Sequence, residues 1–192
     1  MTIANPRLQE SNEEISSAGL CYLFAKKISL ENKDLAPLAI VGMVGDSIET
    51  ISLNSSEIAR DSEVLIKKGL LIYPSTRPIN RALEFSSSPY IPGVTGDREG
   101  VIQLLRDAKI EREDGKYKNL IDLNEEEMTR IVTAIMLKTM KKSEEGIIGN
   151  IFLIKQFNQL EDARELSAKI NATSRLGEPY KAVLYCLGQA EA

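Results

Sequence analysis

The chain of 192 residues contains no histidine and no tryptophan. Without histidine it cannot contain a Ser-His-Asp triad, a Cys-His pair, a histidine general base or a zincin helix. Its two cysteines, Cys21 and Cys186, are too few for a four-cysteine zinc site. Because they lie far apart in apolar contexts, we expect buried free thiols in a reducing compartment and no disulfide framework.

Long apolar runs are also absent. No stretch reaches the roughly eighteen apolar residues of a membrane span, and the N-terminus lacks a basic region followed by an apolar core. We therefore expect a cytoplasmic protein without a membrane segment. The formal net charge of −4 gives no general nucleic-acid footprint, so any phosphate site must be local. The hydrophobic fraction of 43% and charged fraction of 27% are those of a soluble globular protein.

The most apolar stretch is "LAPLAIVGMVGD", residues 35–46. It predicts a buried core element: a helix, or alternatively a strand over residues 39–44. Gly42 and Gly45 would permit close packing of such an element. A buried element that ends in Asp46 can hold a metal ligand or a catalytic carboxylate at a rigid position. An Asp after a Gly is more often only a turn or cap residue, and that alternative stays open.

The middle of the chain predicts helices and one long packed loop. The predicted segments are helices over 15–28 and 54–68, a loop over 74–96 with a short helix near 79–85, and helices starting at Asp97 and after Asn124. The expected apolar anchors of the loop are Ile79, Leu83, Phe85, Tyr90 and Ile91. The apolar positions expected on the last two helices are Val101, Leu104, Leu105, Ala108, Met128, Ile131, Val132, Ile135 and Met140. We interpret the many charges over 97–143 as a solvated surface and not as a binding patch.

The last fifty residues predict a different pattern. A strand over 147–155, a helix over 160–170, a loop over 171–179 and a second strand over 181–187 would form a β-α-β unit. The fold class predicted for the whole chain is therefore α/β.

Six segments, in collinear order, carry a resemblance to a known family. They are "NP…ISSAGLCYLFAKKI", "LAPLAIVGMVGD", "YPSTRPINRALEFSSSPYIPGVTGD", "DLNEEE", "DARELSAKINATSRLG" and "VLYCLG". Together they resemble the DHH phosphoesterases, specifically the archaeal RecJ-like branch called the GINS-associated nuclease. The resemblance implies three regions: 1–96 as a partial DHH-type lobe with the long loop, 97–145 as a helical insertion, and 146–192 as the start of a second α/β lobe.

The resemblance also implies a metal site. Gly42-x-x-Gly45-Asp46 is similar to the family's fourth catalytic motif, in which the Asp binds one of two divalent ions. Asp46 would then be the catalytic and metal-binding residue, and Gly42 and Gly45 would be the structural glycines of the motif. The implied cofactor is Mn²⁺ or Mg²⁺, which suits carboxylate ligands. The implied reaction is hydrolysis of phosphodiesters in single-stranded nucleic acid, in DNA replication or repair.

A phosphate site is implied in the second lobe. The text "INATSRLG" is similar to the family signature "INAxGRxG", with Ser174 where glycine is usual. In that loop Asn171, Arg175 and Gly177 would bind the substrate phosphate, Arg175 in a bidentate manner and Asn171 by shaping the turn. Taken alone, Arg175 would more often form a surface salt bridge or no contact at all.

The departures from the family define the competing hypotheses. The first three motifs, including the DHH triplet, are expected upstream of Asn5-Pro6, and one carboxylate cannot hold a divalent ion. We therefore expect an inert chain: a fragment of a nuclease, a subunit whose companion chain carries the DHH motif, or a degenerate paralogue. The second hypothesis is a non-catalytic scaffold that binds GINS or other replisome subunits. The third is an unrelated α/β domain, which a chain without the β-α-β unit would favour.

Overall fold

A computed structural model describes residues 15–48, 53–86, 88–140, 146–156 and 159–188. Its α-helices and strands, in chain order, are α1 Ser17–Ile28, α2 Ala36–Gly45, α3 Leu53–Asp61, β1 Leu65–Leu70, α4 Ile79–Glu84, α5 Arg98–Asp107, α6 Glu125–Thr139, β2 Ile148–Gln156, β3 Gln159–Asp162, α7 Ala163–Arg175 and α8 Pro179–Cys186. Short 3₁₀ helices span Leu30–Leu35 and Leu120–Asp122. The predicted mixture of α and β structure is confirmed. Among the described residues, no helix is both long and apolar enough to cross a membrane.

The chain forms two compact units. The first unit comprises residues 1–65 and 152–192, and the second unit comprises residues 66–151. The regions 1–96, 97–145 and 146–192 were inferred from the resemblance to the family. The two compact units do not test that division, which stays a prediction. The three strands form one sheet in the order β1-β2-β3. β2 and β3 are antiparallel, in a register that runs from Leu153 opposite Asp162 to Gln156 opposite Gln159.

The core of the first unit is built on α2, as the apolar composition of residues 35–46 predicts. The helix, and not the alternative strand, is observed, and Pro37 lies in its first turn, where a missing N–H costs nothing. The buried residues of this core are Tyr22, Ala36, Ala39, Ile40, Val41, Met43, Ile58, Phe152, Ile154, Ala163 and Leu166. Both faces of α2 are therefore covered, which explains why its sequence is apolar almost throughout.

The second unit has its own core. The buried residues are Leu70, Ile72, Ile79, Ala82, Leu83, Ile91, Val94, Val101, Leu104, Leu105, Ala108, Ile110, Leu120, Ile131, Val132, Ile135 and Ile147. The predicted starts of α5 and α6 are confirmed. The Asp97 side chain accepts from the Glu99 and Gly100 N–H groups at the start of α5, and Asn124 and Glu127 form a capping box at the start of α6. The short helix predicted within the long loop is also confirmed, as α4.

Several boundary predictions are wrong. The helix predicted to reach Lys68 ends at Asp61, because Ser62 and Glu63 form a turn in which Glu63 has a φ of 53°. The following residues form β1, which pairs with a strand that is distant in sequence. Local helical periodicity cannot report such a partner.

The β-α-β unit predicted for the end of the chain is also wrong. Residues 159–162 form β3 and not the start of a helix, and α7 continues through Asn171 to Arg175, where a loop was expected. Residues 181–187 lie mostly in the helix α8 and not in a strand. A short apolar run suits either structure, and Pro179 in the first turn of α8 was the local signal for a helix.

Some residues expected in the interior are exposed. Phe85 and Tyr90 project from the long loop, and Met140 follows the last turn of α6 with a φ of 54°. The two cysteines are free, but Cys21 is exposed and Cys186 is half-buried, so the prediction that both are buried is wrong. Burial nevertheless raises the pKa of the Cys186 thiol.

Candidate functional site

Asp46 lies directly after the last residue of α2 and is exposed. Its backbone N–H donates to the Gly42 carbonyl at 3.0 Å. The chain then turns through Ser47, whose φ is 58°, and the Ile48 N–H donates to the Met43 carbonyl at 2.9 Å. Asp46 therefore occupies the C-cap position of α2, next to the last carbonyls of the helix. The helix dipole is negative at this end, so the position favours a cation and disfavours a carboxylate.

The two glycines before Asp46 are explained by helix packing. A Cβ atom added to Gly42 would lie 2.4 Å from the Ala18 Cβ of α1. A Cβ atom added to Gly45 would lie 2.4 Å from the Ser167 Oγ of α7. The expectation that these glycines permit close packing is thus confirmed, and α2 is held between α1 and α7. Packing alone accounts for the glycine spacing, without any metal site.

The predicted phosphate residues lie on and just after α7, not in a loop. Asn171 and Arg175 are exposed and four residues apart, so they share one face of the last two turns. Arg175 is in the final turn, where a cation suits the helix dipole. Among the described residues, neither side chain has a hydrogen-bond or ion-pair partner. Both are accessible to a ligand.

Gly177 has a structural role. It follows the C-terminus of α7 with a φ of 78°. Its N–H donates to the Ser174 carbonyl at 3.2 Å, and the Glu178 N–H donates to the Thr173 carbonyl at 2.9 Å. These two bonds form the Schellman motif that ends many helices. The motif requires the left-handed backbone that glycine adopts without strain, which is sufficient reason for a glycine here.

The first unit therefore contains both halves of the site predicted from the sequence, on helices that touch. α2 meets α7 at Gly45 and Ser167, and Arg175 lies two turns further along α7, about 12 Å from Ser167 by helical rise. Within the described part of the chain, no hydrogen bond or ion pair connects Asp46 with Arg175.

The residues present do not fit a divalent-metal site. Among the described residues, no three His, Cys, Asp or Glu side chains are grouped so that they could hold a metal ion. Mn²⁺ or Mg²⁺ needs about six oxygen or nitrogen ligands, and Asp46 supplies one carboxylate. The side chains in the described part of the chain therefore support no metal-dependent step.

A polar network in the first unit was not predicted. The Tyr22 hydroxyl donates to Asp61 Oδ2 at 2.7 Å, and the Lys26 ammonium donates to Asp61 and to Glu57. The ammonium lowers the pKa of Asp61. Burial, together with the hydrogen bond to Asp61, raises the pKa of Tyr22 to about 12. The sequence did contain a signal for this network. Tyr22 and Lys26 are four residues apart, as are Glu57 and Asp61, so each pair lies on one face of its helix. The network ties α1 to α3.

A second polar pair at the start of α7 was also missed. Asp162 is fully buried, and its side chain accepts from the Arg164 backbone N–H at 3.0 Å, which caps the helix. The Arg164 guanidinium donates to both oxygens of the same carboxylate, at 3.0 and 2.6 Å. This bidentate pairing satisfies a charge that would otherwise be costly to bury. The pair fixes the start of α7, and with it the helix that carries Asn171 and Arg175.

Residues 72–147 match the family model described as the DHH-CID domain. No curated protein matches the chain. The matched range lies within the second unit, residues 66–151, and covers its core almost completely. Asp46, Asn171, Arg175 and Gly177 all lie outside it. The resemblance of the last fifty residues to the family therefore has no support from the match. The β-α-β unit predicted for these residues is also not observed. The match itself argues against an unrelated α/β domain and supports the chain as a member of the DHH family.

Proposed function

We propose that the chain is part of a RecJ-like, metal-dependent phosphodiesterase that acts as an exonuclease on single-stranded nucleic acid in DNA replication or repair. The archaeal GINS-associated branch is the proposed subfamily, and the cytoplasm the proposed location. The observation that carries this proposal is the DHH-CID match over residues 72–147. Its finer content comes from the resemblance of the other segments, in which residues 1–96 belong to a DHH-type lobe and residues 146–192 to a second lobe.

In this proposal Asp46 is one ligand of a Mn²⁺ or Mg²⁺ site. Two features support the role: the carboxylate is exposed, and it lies at the negative end of α2, where a bound cation would relieve the repulsion. The remaining ligands, including the DHH triplet, must come from other sequence, because the chain contains no histidine. We therefore expect the chain alone to be inactive.

Arg175 and Asn171 are the proposed phosphate contacts. Both side chains are exposed on one face of α7, and neither is engaged by a described residue. A guanidinium at such a position can take a phosphate in a bidentate manner. Gly177 contributes to this site only by ending the helix that presents them.

The experiment measures Mn²⁺-dependent cleavage of a single-stranded oligonucleotide by the chain before and after an upstream segment or companion chain with the DHH triplet is added. The completed enzyme should be active, and Asp46→Asn should lower its activity at least about a hundredfold. Asp34→Asn is the matched control, because Asp34 is an exposed carboxylate of the same unit. Activity of the chain alone would contradict our ligand count. A completed enzyme unaffected by Asp46→Asn would remove Asp46 from the metal site.

One observation favours a second candidate, a non-catalytic scaffold that binds GINS or helicase subunits. The family match is confined to a unit with its own core and with none of the candidate catalytic residues. The test is capture of purified GINS by the intact chain. Absence of capture by the wild-type chain would exclude this function.

A further inference from the structure

We draw no further inference here: the strongest candidate, the outer apolar stripe of α1 that Cys21, Phe24 and Ile28 form on the side of the helix away from the buried Tyr22, is exposed to solvent, and nothing in the described part of the chain shows what covers it.

Discussion

The packing of α2 against α1 gives the sharpest test of the structure. In Gly42→Ala, the new Cβ atom would lie 2.4 Å from the Ala18 Cβ. Two carbon atoms need about 3.5 Å or more, so the helices must separate by roughly 1 Å. Overpacking of this kind costs about 1–3 kcal/mol, whereas alanine in place of glycine within a helix contributes roughly 1 kcal/mol in the opposite direction. We expect a net loss of up to about 2 kcal/mol.

A double-mutant cycle isolates the cause. Ala18→Gly removes the opposing Cβ atom, so the double variant should recover nearly all of the stability lost in Gly42→Ala. Gly45→Ala provides the contrast, because its opposing atom is the Ser167 Oγ, which can rotate to another staggered position. We therefore expect Gly45→Ala to cost less than Gly42→Ala, and Ser167→Ala to remove what cost there is.

Urea unfolding followed by far-UV circular dichroism measures these differences. With two compact units the transition can have two steps, and only the step of the first unit should move. Leu105→Ala in the core of the second unit should move the other step. Additive effects of Gly42→Ala and Ala18→Gly would refute the close contact between α1 and α2.

Two further predictions concern the first unit. Because the pKa of Tyr22 is raised from 10.0 to about 12 in the folded chain, the neutral phenol contributes stability that is complete below pH 10 and is lost as the pH rises to about 12. The loss should be about 2–3 kcal/mol, and unfolding of Tyr22→Phe between pH 10 and 12 should lack this part of the pH dependence. Gly177→Ala should cost about 1–2 kcal/mol through backbone strain alone, since the site has open space around it. Gly177→Asn should cost less because asparagine tolerates the left-handed region better, and an equal cost for both variants in urea unfolding would contradict the Schellman assignment.

Elements with local signals could be predicted from the sequence. Asn124 followed by glutamates starts α6, and Pro37 starts α2, because caps and first-turn prolines act within a few residues. β1 could not be predicted, since its partner strand β2 lies far away in the sequence. β3 directly follows β2 but is only four residues long, which is too short for a clear alternating pattern. The run beginning at Lys181 was ambiguous because a short apolar stretch suits either a strand or a helix.

The candidate site was predictable only in part. Asp46 was placed correctly at the end of a buried element, because the apolar run and its terminating Gly-Asp are adjacent in sequence, whereas the apolar pattern left open whether that element is a helix or a strand. Arg175 was placed in a loop because Asn171, Thr173 and Ser174 are weak helix formers, yet the helix continues until Gly177 supplies its C-terminal motif. The positive φ of Gly177, which marks the end of the helix, is visible only in the folded chain. The residue type of Asn171 suggested a turn, but Asn171 lies within the helix.

Asp46 is the one residue of the Gly-x-x-Gly-Asp stretch that packing does not explain. Gly42 and Gly45 are accounted for by their neighbours on α1 and α7, but the carboxylate is exposed at the end of a helix where negative charge is unfavourable. If it is retained for a cation, its removal should stabilise the isolated chain. We expect Asp46→Asn to raise the free energy of unfolding by a few tenths of a kcal/mol at low ionic strength, and the gain to disappear at high salt because the repulsion is screened. The same substitution should lower the activity of the completed enzyme at least about a hundredfold. A loss of stability in Asp46→Asn would instead give the carboxylate a local structural role and weaken the case for a metal ligand, whereas a gain in stability joined to a loss of activity is the trade-off expected of a functional site.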